Sequence, residues 1–224
     1  METITFAAAK GGVGKTTLTA ALAVAAILNN PALSVGVVDL DPQGSFTRWW
    51  NDRASPQPAL FGTAGRPLTA VQEELRAAGL DYVFFDCPPG FSTVQREAIA
   101  AADLVLIPTG ASMLDLSAVT ATADMAEEEG VPHNYILNRA VFRSCIAGEA
   151  VTTLRTGGKL MWPPVHQRVQ IAAAMSVGRT AQETTPGSAA ASELSRLWQA
   201  VQKVLPSAAP RMAPQHGVGL GVQS

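Results

Sequence analysis

The most constraining feature of the chain is a glycine-rich segment, KGGVGKTT, at residues 10–17. An apolar run from Thr3 to Ala8 precedes it, and an alanine- and leucine-rich stretch from Lys15 to Leu28 follows it. A short apolar run ending in such a turn is typical of a buried parallel strand, and the stretch after it has the composition of a helix. The segment therefore predicts a strand, a phosphate-binding loop and a helix in succession.

The residue types in this loop suit a phosphate group. Gly11, Gly12 and Gly14 allow backbone conformations closed to other residues, so that successive N–H groups turn inward around phosphate oxygens. The positive end of the following helix dipole adds to that field. Lys15 would supply charge to the β and γ phosphates, and the Thr16 hydroxyl would bind Mg²⁺. The loop therefore predicts a nucleotide site that uses Mg²⁺.

Further apolar runs alternate with helix-like segments along the chain. This alternation predicts an α/β fold, with a mostly parallel, doubly wound sheet and helices on both faces. The predicted strands after the first are Ser34–Leu40, Tyr82–Asp86, Leu104–Pro108 and Tyr135–Asn138; the later helices are expected at Leu68–Ala78, near Val165–Ser176 and at Ser188–Val204.

Two segments lack this pattern. Residues 51–67 are polar and rich in proline and glycine, which indicates a long surface connection. Residues 207–224 are rich in proline, glycine, alanine and serine without periodicity, so we expect a flexible C-terminal tail. Residues 1–206 are then expected to form the nucleotide-binding domain.

Charge is distributed unevenly over a chain whose formal net charge is only −2. Residues 1–138 carry 7 Lys and Arg against 15 Asp and Glu, a balance of −8. Residues 139–224 carry 9 against 3, a balance of +6. The asymmetry has two interpretations, which are solvated acidic helix faces early in the chain or a basic surface built from its last third.

Several classes of protein are disfavoured by composition. The two cysteines, Cys87 and Cys145, form no CxxC pair, which argues against a disulfide framework or a thiolate metal site. The N-terminus lacks the basic region of a signal peptide, and the apolar stretch from Leu18 to Leu28 is too short to span a bilayer. We therefore expect a cytoplasmic protein.

The loop resembles the deviant Walker A motif of the ParA/MinD family, whose mark is an additional lysine, here Lys10. Ala9 stands where the general Walker A pattern has its first glycine. In that family the first lysine reaches the phosphates of a partner subunit, so the resemblance implies an ATP-dependent homodimer. It also implies nucleotide contacts along the whole loop, from Lys10, Gly11, Gly12, Val13, Gly14, Lys15, Thr16 and Thr17.

Two further segments resemble family motifs that serve the metal and the attacking water. In VVDLDPQG, residues 37–44, Asp41 aligns with the aspartate that positions water, and Asp39 on the same strand face is placed to support Mg²⁺. The alternative for Asp41 is a turn-forming Asp-Pro pair. In YVFFDCPPG, residues 82–90, Asp86 corresponds to the Walker B carboxylate that contacts Mg²⁺ through water. Lys10, Lys15 and Asp41 are thus the predicted catalytic groups.

Later segments of the chain resemble the family's switch-like loop and the segments that contact the adenine base of the nucleotide. LVLIPTGASMLDL, residues 104–116, resembles the next family strand and its switch-like loop, with Asp115 in place. Asn138, in ILNR, stands where the family contacts adenine. PVHQRV, residues 164–169, corresponds to the loop that closes over the base, and it adds Pro164 and Val165 as nucleotide contacts.

The short N-terminal segment and DPQGSFTRWW, residues 41–50, resemble small ParA-type partition ATPases and VirC-type proteins. The resemblance implies a weak intrinsic ATPase that binds DNA non-specifically on the nucleoid, under the control of a ParB-like or cargo-adaptor protein. Trp49 and Trp50 are expected to serve packing. The candidate DNA contacts are Arg143, Lys159, Arg168, Arg179, Arg196 and Lys203.

Three other functional classes of protein are compatible with the same phosphate-binding loop. A MinD-like membrane-associated regulator needs a basic amphipathic C-terminal helix, which residues 207–224 do not offer, so no stable membrane association is expected. An iron-sulfur carrier needs bridging cysteines that Cys87 and Cys145 do not supply by spacing. For a small-molecule kinase, the sequence names no pocket for a second substrate.

Overall fold

The computed structural model of the protein describes residues 1–156 and 159–205. Its strands are β1 (Glu2–Phe6), β2 (Val35–Asp39), β3 (Ala59–Phe61), β4 (Tyr82–Asp86), β5 (Leu104–Thr109) and β6 (His133–Leu137). Its helices are α1 (Lys15–Asn29), α2 (Ser45–Asn51), α3 (Leu68–Ala77), α4 (Thr93–Ala100), α5 (Met113–Glu128), α6 (Cys145–Arg155), α7 (Val169–Met175), α8 (Ala181–Thr184) and α9 (Ala189–Val204).

The six strands form one parallel sheet in the order β3-β2-β4-β1-β5-β6. Since all strands run the same way, their carboxyl ends lie along one edge, where ligands bind in open α/β sheets. Asp39 and Asp86 are register partners at that edge, on β2 and β4. The predicted α/β fold with a parallel sheet and helices on both faces is confirmed.

Side-chain alternation along the strands explains the two helical layers. On β4, Phe84 packs with the core that α1 and α9 cover, whereas Val83 and Phe85 pack with α3 on the other face. Trp198 of α9 contacts the Phe84 ring, with 6.0 Å between ring centroids. Both faces of the strand are therefore buried, as its continuous apolar sequence predicts.

Helix α1 is buried over most of its circumference because it lies between the sheet and α9. Its small residues, an alanine at five of fifteen positions, allow this close packing on both sides. The helix thereby fixes the loop that precedes it against the sheet edge.

Three parts of the chain differ from the sequence predictions. The predicted connection at residues 51–67 contains β3, which pairs with β2 as an edge strand. The helix expected from Val165 begins only at Val169, because Val165 exchanges backbone hydrogen bonds with Leu137 and Ala140 beside β6. Helices α2, α6 and α8 were not predicted.

The predicted tail, residues 207–224, lies outside the described residues. Within the ranges that the structure describes, every helix is too short or too polar to cross a lipid bilayer.

Candidate functional site

The glycine-rich loop joins β1 to α1 and turns at two left-handed glycines, Gly12 (φ 74°) and Gly14 (φ 97°). Gly14 is also required by space, since a Cβ there would lie 2.2 Å from the side-chain nitrogen of Asn138. That nitrogen donates a 2.8 Å hydrogen bond to the carbonyl of Val13. Asn138, at the end of β6, therefore holds the loop in its turn.

Lys15, the first residue of α1, points into a cavity of about 600 Å³ at the carboxyl edge of the sheet. The lysine is buried, and burial lowers the pKa of its amine against the opposing attraction of Asp86. An amine held in this way is ready for an anionic partner, because a triphosphate would restore the stabilisation that burial removes. The cavity is large enough for a nucleotide's phosphates.

Asp86 ends β4 at the floor of this site and is buried. Its two carboxylate oxygens accept hydrogen bonds from Thr16 at 2.7 Å and from Thr19 at 3.3 Å. Burial raises the pKa of Asp86 to about 7, even though the Thr16 hydroxyl favours the charged form, and the nearby Asp39 adds to the rise. A cation at this position would compensate the buried charge.

Asp39 and Asp41 shape the turn that follows β2. Asp39 accepts hydrogen bonds from the backbone N–H and the hydroxyl of Thr47, at 2.9 and 2.7 Å. Asp41 accepts one from the backbone N–H of Gln43 at 2.9 Å and also lines the phosphate cavity. Asp41 therefore forms the turn that was the alternative interpretation of its sequence, and it also lines the cavity.

The oxygen ligands present fit Mg²⁺ bound together with a nucleotide. Thr16, Asp86 and Asp39 bring one hydroxyl and two carboxylates to neighbouring positions, as a small hard cation prefers. Among the described residues, no group of three or more His, Cys, Asp or Glu could hold a metal ion unaided. A magnesium ion here would need phosphate oxygens and water to complete its shell.

Lys10 lies outside the cavity that contains Lys15. It lines an adjacent cavity of about 420 Å³ together with Asp115 and Arg139, and its side chain is 45% exposed. Its amine forms an ion pair with Asp115, at the start of α5. Burial would raise the pKa of Asp115, but the contacts from Lys10 and Ser112 outweigh it and hold the pKa below its usual value. The two lysines of the loop thus face different spaces.

A third cavity, of about 350 Å³, adjoins the loop on its β6 side. Asn138 lines it, as predicted for a contact of the base, but Pro164 and Val165 do not. Both are buried, and Val165 belongs to the core beneath the sheet. On this side the cavity is lined instead by residues that follow Val165 in the chain, in the segment before α7 and on α7 itself: His166, Gln167, Arg168, Ile171, Ala172 and Met175. Pro164 and Val165 thus lie outside the lining of this cavity, and their contact with the base stays a prediction.

Trp49 and Trp50 have packing roles, as predicted. Trp49 is buried against Phe46, and its indole N–H donates to the carbonyl of Arg179 at 3.2 Å. Arg53 stacks over the Trp49 ring and forms a two-bonded ion pair with Glu183, at 2.6 and 3.0 Å. These contacts tie α2, at the cavity, to α8.

The six candidate DNA contacts fall into two groups. Lys159 is paired with Glu127 at 2.8 Å, and Arg168 with Glu193 at 2.5 Å. Within the described ranges, the other four are exposed and have no carboxylate within ion-pair distance: Arg143, Arg179, Arg196 and Lys203.

Sequence reasoning missed three polar residues at the site. Arg139 donates to the carbonyl of Gly12 at 2.8 Å and so braces the loop from the end of β6. Ser45 and Arg48, on α2, line the phosphate cavity. Each follows a strand at the carboxyl edge of the sheet, and this position is the signal that could have identified them.

Comparison with known proteins places this geometry in a family. The model of the VirC1 protein family matches residues 1–161. The chromosome-partitioning ATPase Soj of Thermus thermophilus is 32% identical, over 88% of this chain and 94% of Soj. Protein virC1 of Rhizobium radiobacter is 29% identical, over 75% of this chain and 78% of virC1.

The fold is also similar to that of a solved MinD structure. The septum site-determining protein MinD of Pyrococcus horikoshii, solved with Mg-ADP, superposes with a TM-score of 0.71 at 20% identity, over 90% of this chain and 96% of MinD. Sequence and fold agree with the deviant loop and its two lysines, so the chain is an ATPase of the ParA/MinD type and belongs to the VirC1 family.

Proposed function

We propose that this ATPase positions a DNA or other macromolecular cargo through an ATP-dependent dimer. In this cycle Mg-ATP joins two copies, the dimer binds DNA without sequence preference, and a partner protein triggers hydrolysis and release. The observation that carries the proposal is the separation of the two loop lysines, since Lys15 points into the phosphate cavity and Lys10 faces away from it.

Within one copy, the loop and the metal ligands would hold the triphosphate. The loop amides and Lys15 would contact its phosphates, and Thr16 and Asp86 would hold Mg²⁺ with support from Asp39. A magnesium ion held there would supply positive charge to the phosphates. Asn138 and the residues around His166 would enclose the base.

Asp41 is the proposed group for the attacking water. It lies at the carboxyl end of β2, faces the phosphate cavity and is half-buried. A carboxylate in this position can orient a water molecule and accept its proton as the bond to the γ phosphate breaks.

Lys10 is the proposed cation supplied to the second copy. Because its amine is partly exposed and lies outside its own phosphate cavity, it is available to a neighbour once the ion pair with Asp115 opens. A cation delivered in this way stabilises charge that develops in the transition state. Hydrolysis then depends on dimer formation.

The proposed DNA surface uses exposed cations of the last third of the chain. Arg196 and Lys203 lie seven residues apart on α9, which places them on the same helix face about 10 Å apart along its axis. Arg179 and Arg143 are also exposed, while Arg168 and Lys159 would have to leave their carboxylate partners. Such a surface would associate the protein with the nucleoid in the cytoplasm.

Support for a cargo comes from the relatives. Soj is a chromosome-partitioning ATPase, and the resemblance of this chain to the ParA/MinD family implies a ParB-like or cargo-adaptor protein as its partner. The present chain would respond to an adaptor of its own.

A salt-titrated DNA-binding assay with ATP, ADP or no nucleotide tests the proposal. We expect binding with ATP only, with log K falling by roughly 0.9 per neutralised phosphate for each tenfold rise in salt. Lys203→Glu and Arg179→Glu should reduce that slope, whereas Glu73→Gln, an exposed carboxylate on α3, should leave the slope unchanged. A DNA affinity that does not depend on the nucleotide, or that does not change with salt concentration, would refute the DNA-binding step.

A further inference from the structure

A surface groove beside β6 lies next to the nucleotide site and is lined largely by other residues. It has a volume of about 500 Å³ and lies between the loop after β6, helix α6 and the segment that precedes α7. Ala147 and Leu137 lie at its base and are buried, whereas Val141 and Trp162 on its rim are 59% and 47% exposed. The groove is therefore apolar and open to solvent.

Further apolar side chains extend this rim. Phe142, next to Val141, is exposed and lies edge-on against His166 of the groove, with 5.7 Å between ring centroids. Ile146, on the first turn of α6, is exposed as well. A cluster of large exposed apolar residues around a concave surface is typical of a protein interaction site.

The groove also carries a surplus of positive charge. Arg143 and Arg196 line it, and the guanidinium of Arg155 lies over the Trp162 ring at 4.7 Å. In the part of the chain that the structure describes, none of the three has a carboxylate within ion-pair distance. The one carboxylate that lines the groove, Glu193, is already bound by Arg168 and His166.

We propose that this groove binds an acidic amphipathic segment of a partner protein. Its apolar side chains would pack against Trp162 and Val141, and its carboxylates would pair with the arginines of the rim. Duplex DNA would satisfy the arginines but would leave the apolar rim exposed, because its outer surface is a charged sugar-phosphate backbone. The combination of arginine and exposed aromatic side chains therefore favours a protein segment, and Arg143 and Arg196 are then no longer part of the proposed DNA surface.

The groove shares structure with the nucleotide site. His166 lines both the groove and the cavity on the β6 side of the loop. The loop after β6 likewise supplies Arg139 to the nucleotide side and Val141 to the groove. The inference rests on the proposed function in one respect, that a partner acts on the ATPase, and it gives the chemistry of that partner.

Selection of short peptides from a random displayed library, against the full chain without nucleotide, tests this inference. We expect enriched peptides that combine Asp or Glu with Leu, Phe or Trp. A synthetic copy of such a peptide, followed by fluorescence anisotropy, should lose at least about tenfold in affinity with Trp162→Ser and with Arg143→Glu. Arg76→Glu, at an exposed cation of α3 outside the groove, should leave the affinity unchanged.

Thermal melting of each variant checks its fold, since all three positions are exposed. Enrichment of basic or uncharged peptides, or binding that is insensitive to both groove variants, would overturn the inference. So would a loss of ATP-dependent duplex DNA binding in Arg143→Glu without any acidic peptide selected, which would assign the groove to nucleic acid. Because the peptide assay itself contains no ATP, a failure of the dimer or of hydrolysis would leave its readout intact.

Discussion

The amine of Lys10 is paired with Asp115, the residue that also completes the capping box of α5 with Ser112. This contact places the additional lysine of the loop against its own subunit, in a cavity separate from that of Lys15. A lysine that serves a second copy must leave this partner. In the proposed dimer cycle, the pair would mark the single-copy state of the site.

Lys10→Ala should retain ATP binding but lose ATP-dependent dimerisation and hydrolysis. The binding should survive because Lys15 and the loop amides are unchanged, while removal of a cation supplied in trans should slow turnover by about 10³-fold or more. Sedimentation and phosphate release with ATP measure the two effects. Asp115→Asn is the matched variant, and it should favour the dimer by a few-fold, since an exposed ion pair contributes about 0.2–1 kcal/mol. A Lys10→Ala protein that hydrolyses ATP normally would exclude the trans role.

Asp41→Ala should bind Mg-ATP and dimerise but slow hydrolysis by roughly 10²–10⁴-fold, the range for loss of a positioned proton acceptor. Single-turnover hydrolysis, with nucleotide binding measured in parallel, separates the two effects. Asp52→Ala is the control, because Asp52 lines the same cavity. Equal loss in both variants, or none in Asp41→Ala, would show that another group positions the water.

Gly14→Ala should destabilise the protein and weaken nucleotide binding together. The new methyl group would displace Asn138 from Val13 and would force a left-handed conformation on alanine, at a cost of about 1–3 kcal/mol. Urea unfolding measures the first effect and nucleotide titration the second. Gly62→Ala, where a Cβ meets no atom within 4 Å, should change neither. Similar behaviour of the two variants would contradict the described loop.

The ion pair between Arg53 and Glu183 should make stability depend on pH below neutrality. Although burial alone would raise the pKa of Glu183, Arg53 and the backbone N–H of Thr180 lower it. A carboxyl whose folded pKa is depressed contributes stability above its unfolded pKa of about 4.3, and that contribution is lost as the pH falls through the folded pKa.

Glu183→Gln should therefore lower the free energy of unfolding by about 1–3 kcal/mol at pH 7. Below about pH 4, the variant and the unaltered protein should have the same free energy of unfolding. Urea unfolding across this range provides the measurement. Glu74→Gln, which removes an exposed pair with Arg66, should cost less than about 1 kcal/mol. A gap for Glu183→Gln that persists in acid would mean that packing, rather than charge, accounts for the loss.

Local patterns predicted the first half of the fold well. β4 and the start of α1 lie where periodicity and the glycine loop place them, because a buried parallel strand is apolar throughout and its loop needs left-handed glycines. The short edge strand β3 was missed because its three residues, between proline-rich turns, carry no periodic signal.

The site was predictable where chemistry depends on sequence spacing and less so where it depends on tertiary contacts. Lys15, Thr16 and Asp86 are brought together by the motifs themselves. The wall of the base-side cavity depends on where α7 begins, and that is set by backbone pairing of Val165 with β6, which a single sequence does not reveal. The roles assigned to the site residues remain predictions for the variants above.

Calorimetric titration of the full chain with ATP, with and without Mg²⁺, tests the central claim most directly. The account predicts saturable, magnesium-dependent binding that Lys15→Ala weakens by about a hundredfold or more, because a buried amine and its phosphate partner are lost together. A flat titration of the unaltered protein, or equal affinity in Lys15→Ala, would contradict it.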